Sequence, residues 1–290
     1  MHCMISECKM ILKTAILMTV VLCLLVSSSV SLYAQTAVSA EPETVGMYID
    51  GAAYSGRAVL YNDTTYIDLF EFSRAVYPCS TSYAADTRTA QLTGEDITLT
   101  ATDGETYISA NDRYLWCPSG VFTDGSYLFV PLRVAAKALG AQVDWNADEF
   151  AAYVTVTGNG PLAHASDFYV EDELYWLSRI IYAEAGAEPF DGQIAVGNVV
   201  LNRVREEIFP SNIYDVIFDR KYGVQFTPTA NGMIYREPSE ESVIAAKICL
   251  EGYSISYEIL YFINAALAEN FWVPQNRPYV MTISGHDFYS

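Results

Sequence analysis

A clear helical pattern lies between residues 171 and 182, where apolar side chains recur every three or four positions and line one face. The side chains of this face are Leu174, Leu177 and Ile181. Glu184 continues the same face, so its carboxyl group is expected to point toward the surface on which the helix packs. Gly186 predicts the end of the helix, and Pro189 closes the turn that follows.

The placement of Glu184 suggests a catalytic acid. A carboxyl group that is half-buried in apolar surroundings has a raised pKa, because burial disfavours the charged form. It can therefore hold a proton near neutral pH. A general acid for glycosidic cleavage needs this property. The alternative is that Glu184 is solvated, as most glutamates near helix ends are. Glu188 lies beyond the glycine, where helical spacing cannot orient it, and is either a partner of Glu184 or an exposed loop residue.

A second helix is predicted to begin at Phe190 or Asp191 and to be buried nearly all round. Its apolar positions are Ile194, Val196, Val199, Val200 and Val204. Asn198 and Asn202 lie four residues apart on this helix. Their amides therefore either face one groove or form a pair on the surface.

The rest of the C-terminal half predicts two further helices and a small sheet. The elements are helices at 211–219 and 239–250, capped by Ser211 and Ser239, and β-like segments at 259–263 and 280–283. A loop that holds Trp272 lies between the β-like segments. The expected fold class is α+β, with a mostly helical C-terminal domain that carries a small sheet.

The N-terminal half contains an internal repeat of a strand, a short helix and a strand or hairpin. The aligned segments are 66–69 and 73–76 in the first unit, and 129–132 and 136–139 in the second. Turns are expected at Asn62-Asp63 and at Asp124-Gly125. The N-terminal domain is therefore predicted to be a small α+β repeat domain.

These patterns divide the chain into four parts. They are a signal peptide at 1–40, a repeat domain at 41–157, a linker at 158–168 and a second domain at 169–290. The linker has no apolar periodicity that would tie the two domains together. Residues 165–290 are therefore expected to fold and act without the repeat domain.

The N-terminus has the pattern of a secretory signal. Lys9 and Lys13 precede an apolar run at 15–26, and cleavage is expected after Ala40 or Ala34. The run is shorter than the ~20 residues that span a bilayer, so an uncleaved anchor is the lesser alternative and no stable membrane insertion is expected. The protein is expected to be secreted and to associate with the cell wall or spore envelope.

Charge and cysteine usage exclude several functions. The net charge of −19 makes nucleic acid an improbable partner, because polyanions are repelled. Retention in an anionic wall would need specific contacts or another wall or spore protein. Beyond the signal, Cys79, Cys117 and Cys249 are either one Cys79–Cys117 pair with one thiol or three free thiols. No Cys/His cluster has metal-ligand spacing, so no metal or cofactor is expected.

Several motifs of the C-terminal half occur together in one known family. In chain order they are Leu177–Ala185, Glu188-Pro189, Gly192–Val196, Val199–Val204, Gln225-Phe226, Asn231-Gly232, Leu260-Tyr261, Asn264, Trp272, Arg277-Pro278, Ile283, His286 and Phe288. Over residues 172–289 the chain resembles the SleB-type cell wall hydrolases, the spore-cortex lytic enzyme family. It departs from the family pattern at Gly186-Ala187, Ala265 and Ser284-Gly285-His286, where the family usually has Arg-Gly, Pro and Gly-Asn-His.

This resemblance implies a lysozyme-like fold that cleaves peptidoglycan glycan strands, with Glu184 as the catalytic glutamate. It places Glu188 at the substrate, and it implies that Gln225, Tyr261 and Asn264 orient the sugar and that Trp272 stacks on a ring face. With a single catalytic acid, the expected reaction is that of a lytic transglycosylase acting on the bond between N-acetylmuramic acid and N-acetylglucosamine.

Three other functions remain open. A second carboxylate would make the protein a hydrolytic muramidase, and Glu188 is the candidate with family support. Loss of the usual Arg-Gly before Glu188 would fit a non-catalytic wall-binding or germination component. An amidase or peptidase is poorly supported, because the sequence has neither a thiol beside a histidine nor a zinc ligand set.

The repeat domain carries a second resemblance. The segment 127–145, from Tyr127-Leu128-Phe129 to Val143-Asp144-Trp145, resembles the copper amine oxidase N-terminal-like domain of exported bacterial wall proteins. The resemblance implies no copper chemistry. The aromatic side chains of this domain are expected to be mainly core, with stacking on sugars as the alternative.

Overall fold

The computed structural model describes residues 43–268 and 271–290, so the expected signal peptide lies outside the described residues. Within the part of the chain that it describes, no helix is long and apolar enough to cross a membrane. Residues 44–290 form one compact unit. Both halves mix helices with sheets, which confirms the predicted α+β class.

The N-terminal segment is built mainly from strands. They are β1 (Glu43–Thr44), β2 (Gly46–Ile49), β3 (Ala52–Ala53), β4 (Ala58–Tyr61), β5 (Thr64–Asp68), β6 (Ser80–Ala84), β7 (Thr89–Thr93), β8 (Thr98–Thr102), β9 (Tyr107–Ala110), β10 (Arg113–Trp116), β11 (Phe122–Thr123), β12 (Leu128–Pro131), β13 (Ala141–Asn146) and β14 (Ala151–Val156). Its helices are α1 (Leu69–Val76) and α2 (Leu132–Ala138). Three sheets have the orders β1-β4-β5-β12-β11, β10-β9-β8-β7-β6 and β13-β14-β2-β3.

Both repeat units have the predicted succession of strand, helix and hairpin. The first is β5, α1, β6 and β7, and the second is β12, α2, β13 and β14. Strands β5 and β12 pair antiparallel, with Ile67 opposite Val130. The turn before β5 is tight because Asn62 and Asp63 both take positive φ, 47° and 56°, as a two-residue hairpin of right-handed twist requires. The repeat pattern in the sequence therefore corresponds to a structural repeat.

The C-terminal segment consists of a helical bundle beside a small sheet. Its elements are α3 (Glu171–Ala185), α4 (Phe190–Arg205), α5 (Ile213–Phe218), α6 (Pro228–Asn231), α7 (Glu240–Leu250), β15 (Tyr261–Ile263), α8 (Trp272–Asn276), β16 (Tyr279–Ile283) and β17 (His286–Tyr289), with short 3₁₀ turns at Ala165–Asp167 and Met233–Tyr235. The sheet order is β15-β17-β16. The structure agrees with the predicted bounds of α3, α4 and α7, and Ser239 caps α7 as expected.

Two local predictions need correction. The N-cap of α5 is Asn212, whose side chain accepts the Asp215 backbone N–H at 2.8 Å, and Ser211 precedes the cap. Trp272 begins the short helix α8, in a region where the sequence predicted only a loop. Both errors arise where several adjacent residues can cap or turn the chain, and the local pattern does not choose among them.

The two segments are in contact, which the sequence did not predict. Trp116 of β10 packs against Phe190 and Tyr253, with ring centroids 5.4 and 5.3 Å apart. Arg113 donates two hydrogen bonds to the Glu251 carboxylate, at 2.6 and 2.9 Å, and Lys137 donates a third at 2.9 Å. The Glu251 side chain is only 3% exposed, so these cations are what allow it to remain charged there.

The three cysteines of the described chain are free thiols, of which Cys117 and Cys249 are buried. The alternative of a Cys79–Cys117 pair is therefore not realised. Burial raises the pKa of the Cys117 thiol to about 12, so this thiol stays protonated and packs as a small apolar side chain.

Candidate active site

Glu184 lies in the last turn of α3, where the apolar face of the helix meets the core. Leu177, Ile181 and Ala185 are buried, and Ala185 packs against Ile259 and Phe288 beneath the small sheet. Glu184 is half-buried beside these residues. Burial raises the pKa of its carboxyl group to about 7, and no other cause contributes. A substantial fraction of the carboxyl group is therefore still protonated at neutral pH, as the sequence predicted.

Glu188 lies in the turn between α3 and α4 and is held by the loop that joins β16 to β17. The Gly285 backbone N–H donates to its carboxylate at 3.2 Å, and His286 Nδ1 lies 3.5 Å from Oε1. Burial opposes ionisation, but the Ser284 side chain, the Gly285 N–H and His286 outweigh it and hold the pKa of Glu188 below its usual value. Glu188 is therefore an ionised carboxylate with partners.

The two acids thus have opposite protonation states within one turn. Burial keeps Glu184 protonated near pH 7, whereas hydrogen bonds keep Glu188 charged. Pairs of carboxyl groups whose surroundings push their pKa values apart are typical of glycosidase sites, where one acts as the acid and the other stays ionised. The two residues can therefore supply a proton and a negative charge from positions four residues apart in the chain.

A chain of hydrogen bonds between buried side chains links the turn that carries Glu188 to helix α7. Gln193 Nε2 donates to the Glu188 backbone carbonyl at 3.3 Å, and the Gln193 amide oxygen accepts the Ser242 hydroxyl at 2.7 Å. The Ser239 hydroxyl, which caps α7, donates to Ser242 at 3.0 Å. Gln193 is fully buried, and no role was predicted for it from the sequence. The sequence does contain one signal for this role: Gln193 lies within an otherwise apolar helix, and a buried amide group needs hydrogen-bond partners.

Asn264 lies beside the same carboxylate. A methyl group built on Gly285 would lie 3.0 Å from Asn264 Nδ2 and 3.1 Å from Glu188 Oε1, so both side chains border this glycine. Any larger residue at Gly285 would push against both. The structure therefore places Asn264 and Glu188 on either side of Gly285, and their role in substrate binding stays a prediction.

The aromatic candidates share a different neighbour. The Arg277 guanidinium lies 4.6 Å from the Tyr261 ring centroid and 5.5 Å from that of Trp272. Trp272 is 49% exposed. Gln225 donates to the Gly223 carbonyl at 3.3 Å, within its own loop. Tyr261 and Trp272 thus share Arg277 as a neighbour, and no specific role was predicted for Arg277 from the sequence.

Asn198 and Asn202 face neither a groove nor the surface, so both readings of this pair are wrong. Both side chains are 2% exposed. Asn198 donates to the Tyr253 carbonyl at 2.9 Å, and Asn202 donates to two backbone carbonyls, those of Ser256 and Ile259, both at 2.9 Å. The two amides bind the 253–259 loop to α4, because that loop forms no regular secondary structure that would satisfy its own backbone groups.

The histidines have structural positions. His286 is 5% exposed and burial lowers its pKa, so the ring is neutral near pH 7. His164 lies 3.0 Å from Asp112 on the surface of the N-terminal segment. In residues 43–268 and 271–290 no group of His, Cys, Asp and Glu side chains is arranged to hold a metal ion.

The turn with its two carboxylates lies in a segment that is similar to proteins of known activity. Residues 187–289 match the Cell Wall Hydrolase family. Glu188 lies inside this matched range, and Glu184 lies just before it. Residues 48–154 match a second family, described as the Copper amine oxidase N-terminal domain. Both resemblances predicted from the sequence are confirmed.

The curated relatives of this cell wall hydrolase segment are spore cortex-lytic enzymes. The enzyme of Oceanobacillus iheyensis is 32% identical over 132 residues, which cover 46% of this chain and 46% of the relative. That of Bacillus subtilis is 33% identical over 120 residues, which cover 41% of this chain and 38% of the relative. The chain therefore spans less than half the length of the curated relatives it matches.

Two solved structures are also similar in sequence to the cell wall hydrolase segment. The catalytic domain of the germination-specific lytic transglycosylase SleB from Bacillus anthracis is 32% identical, with 42% of this chain and 97% of that chain covered and a TM-score of 0.39. The catalytic domain of the Bacillus cereus SleB protein is also 32% identical, with 42% and 92% covered and a TM-score of 0.38.

Proposed function

We propose that this protein cleaves peptidoglycan glycan strands at the β-1,4 bond between N-acetylmuramic acid and N-acetylglucosamine, as a lytic transglycosylase. The observation that carries the proposal is Glu184, a half-buried carboxyl group with a pKa of about 7, in the turn that precedes the Cell Wall Hydrolase match. A protonated acid at neutral pH is what cleavage of a glycosidic bond requires.

The proposed reaction uses Glu184 twice. The carboxyl group first donates its proton to the glycosidic oxygen, the bond from that oxygen to C1 of muramic acid breaks, and N-acetylglucosamine leaves with a free 4-hydroxyl. The resulting carboxylate then takes the proton of the muramic acid 6-hydroxyl, whose oxygen bonds to C1 and closes a 1,6-anhydro ring. Glu184 ends protonated again, and no water is consumed.

Glu188 has an electrostatic role in this scheme. Positive charge develops on the sugar ring as the C1–oxygen bond breaks. An ionised carboxylate placed in advance by the Gly285 N–H stabilises that charge without reorganising. Because one of its oxygens already accepts this hydrogen bond, we assign Glu188 to charge stabilisation and assign both proton transfers to Glu184.

The remaining candidates are proposed to bind the strand. Asn264 lies beside Glu188, where its amide can hydrogen-bond an N-acetyl group, and the exposed ring of Trp272 offers a stacking surface. We assign Tyr261 and Gln225 to hydrogen bonding of sugar hydroxyls. The similarity to spore cortex-lytic enzymes supports a site of action in the cell wall or spore envelope after export.

A hydrolytic muramidase is the second candidate, and the ionised state of Glu188 favours it. In that reaction Glu188 would activate water or attack C1 itself, and the released muramic acid would carry a reducing end.

Mass spectrometry of digested, purified sacculi distinguishes the two reactions. The expected products end in 1,6-anhydromuramic acid, are lighter by one water than reducing sugars, and do not change with borohydride. Dominant borohydride-reducible ends would replace the transglycosylase with the muramidase. A digest indistinguishable from one with Glu184→Gln protein would instead support a non-catalytic wall-binding component.

A further inference from the structure

A polar cleft of about 590 Å³ lies outside the turn that carries the two carboxylates, where the β8–β9 sheet of the N-terminal segment faces helix α7. Its size falls within the ~300–1,000 Å³ typical of small-ligand sites. The lining side chains on which the argument rests are Thr98, Thr100, Thr102, Tyr107, Ser109 and Glu240. Neither family resemblance assigns a role to this cleft.

The floor of the cleft is a surface of hydroxyl groups. In β8, Leu99 and Ala101 point into the core, so the alternating threonines point outward. Ser109 of β9 lies directly opposite Thr100. Threonine is common on exposed sheet faces for its β propensity alone, but here the face also borders Glu240 and Ile244 of α7, which line the other side of the cleft. Hydroxyl groups both donate and accept hydrogen bonds, as sugar hydroxyls do.

Packed residues connect the cleft to the start of α4. Tyr107 lines the cleft, and its ring centroid lies 5.8 Å from that of Phe190, the first residue of α4. Phe190 follows Glu188-Pro189 directly in the chain. The opposite wall includes Glu240 of α7, whose capping Ser239 begins the hydrogen-bond chain that ends at the Glu188 carbonyl. The cleft and the turn that carries Glu188 are therefore connected through packed side chains and buried hydrogen bonds.

The charges around the cleft restrict what it can bind. Glu105, Asp112 and Glu240 all contribute to its lining, within a chain whose net charge is −19. Carboxylate- or phosphate-bearing polymers would be repelled. A neutral polymer rich in hydroxyl and amide groups would be accepted, and Tyr107 and Tyr114 add two further hydroxyl-bearing side chains to the lining.

We propose that this cleft is a second glycan site that binds an uncharged stretch of N-acetylated glycan. The choice of a glycan rests on the proposed function, whereas the preference for a neutral, hydroxyl-rich ligand rests on the cleft itself. The site would hold the strand on the N-terminal segment while the C-terminal segment cleaves it. The N-terminal segment would then form part of the substrate path.

The test uses the full chain with Glu184→Gln, so that bound sugar is not cleaved. The probe is the N-acetylglucosamine hexamer, and a hyaluronan hexasaccharide serves as an anionic glycan of equal length. Threonine methyl groups labelled with ¹³C report the location by NMR. We expect saturable shifts at Thr98 and Thr100 with the neutral hexamer, none with hyaluronan, and none at Thr93, which lies opposite Thr98 on β7 and outside the cleft.

Affinity is tested with a double variant, Thr100→Val with Ser109→Ala, which removes two facing hydroxyls and retains the strand. We expect at least a tenfold weaker Kd for the hexamer. Thr93→Val is the matched control and should bind as the parent does, and thermal unfolding checks that all variants fold. Hexamer binding that leaves the Thr98 and Thr100 methyl signals unmoved, or that the double variant retains in full, would overturn the proposal, as would equal binding of hyaluronan.

Failure of the catalytic proposal gives a different result. If Glu184 is not the acid, Glu184→Gln protein digests sacculi at the wild-type rate, whereas the methyl shifts and the effect of the double variant stay as described. If the cleft does not bind glycan, the digestion results stand and the shifts are absent.

Discussion

At the scale of single residues, the difference between Glu184 and Glu188 comes from solvation and hydrogen bonding. Burial alone acts on Glu184 and raises its pKa to about 7. Glu188 receives the Gly285 N–H and lies near His286, and its pKa is lowered despite partial burial. The same residue type therefore supplies an acid at one position and an anion at the other, within four residues of chain.

Glu184→Gln is expected to abolish glycan cleavage and leave the fold intact, because glutamine matches the shape of glutamate but cannot donate an acidic proton. We expect at least a ~10³-fold fall in the release of soluble fragments from sacculi. This lies within the ~10²–10⁴-fold range of general acid catalysis. Glu188→Gln is the comparison and should be milder. Equal losses in both variants would favour a hydrolase that uses two carboxylates.

The pH profile should follow the same two groups. Since the protonated form of Glu184 is the active acid, kcat/KM on soluble glycan fragments should fall about tenfold per pH unit above about pH 7. At the acid end, activity should be lost only when Glu188 becomes protonated, below the usual carboxyl range near ~4.3. A profile whose alkaline limb stays flat to pH 9 would exclude Glu184 as the acid.

The free energy of unfolding should depend on pH because Glu184 is buried. Because the folded-state pKa of Glu184 is raised, the folded protein loses stability as pH increases from the unfolded value near ~4.3 to about 7, and the loss is complete above that window. Glu184→Gln should therefore be more stable than wild type by about 1–3 kcal/mol at pH 8 and by much less at pH 4.

Urea unfolding at the two pH values measures this difference. Glu188→Gln is the matched control with the opposite sign, since its lowered pKa means that the ionised form stabilises the fold above the usual carboxyl range. An advantage of Glu184→Gln that does not depend on pH would show that packing, and not desolvation of the carboxylate, causes it.

At the scale of elements, the sequence predicted what depends on local pattern. The apolar periodicity of α3 and α4, the serine cap of α7 and the tandem strand–helix–hairpin units all come from contacts within a few residues along the chain. The roles of Asn198, Asn202 and Gln193 could not be predicted, because their partners lie about 50 residues away, or behind a turn whose geometry the pattern does not specify.

Asn202 offers a test of how α4 holds the 253–259 loop. Asn202→Ala would leave the Ser256 and Ile259 carbonyls without their donor, at a cost of about 2–4 kcal/mol. Ile259 packs against Ala185 beside Glu184, so cleavage should also slow. Chemical unfolding and sacculus digestion measure the two effects. Asn159→Ala, at an exposed linker position, is the control and should change neither.

At the scale of the whole molecule, the interface between the N-terminal and C-terminal segments depends on one buried carboxylate, that of Glu251. Burial alone would raise the pKa of Glu251, but hydrogen bonds from Arg113 and Lys137 hold that pKa below its usual value. Arg113 and Glu251 lie in different predicted domains and have no shared sequence signal, which is why the contact was missed. The domain boundaries at 157 and 169 stay predictions.

Arg113→Met should destabilise the protein by about 3 kcal/mol, because it leaves Glu251 buried with Lys137 as its remaining cation. Adding Glu251→Met should restore much of the loss, since an apolar pair of similar volume needs no desolvation of charge. Unfolding of the single and double variants in urea forms the cycle. A double variant no more stable than Arg113→Met alone would show that packing of the long side chains governs this interface.

The pairing of β5 with β12 has a consequence for a chain that contains only one of the two repeat units. Apart from the edge strand β1, the sheet order β4-β5-β12-β11 places the two repeats symmetrically about its centre, where the equivalent residues Ile67 and Val130 lie opposite each other. This is the arrangement of an isologous dimer about a local twofold axis, here joined into one polypeptide. A chain with only one repeat would expose its central strand and complete the sheet by homodimerisation.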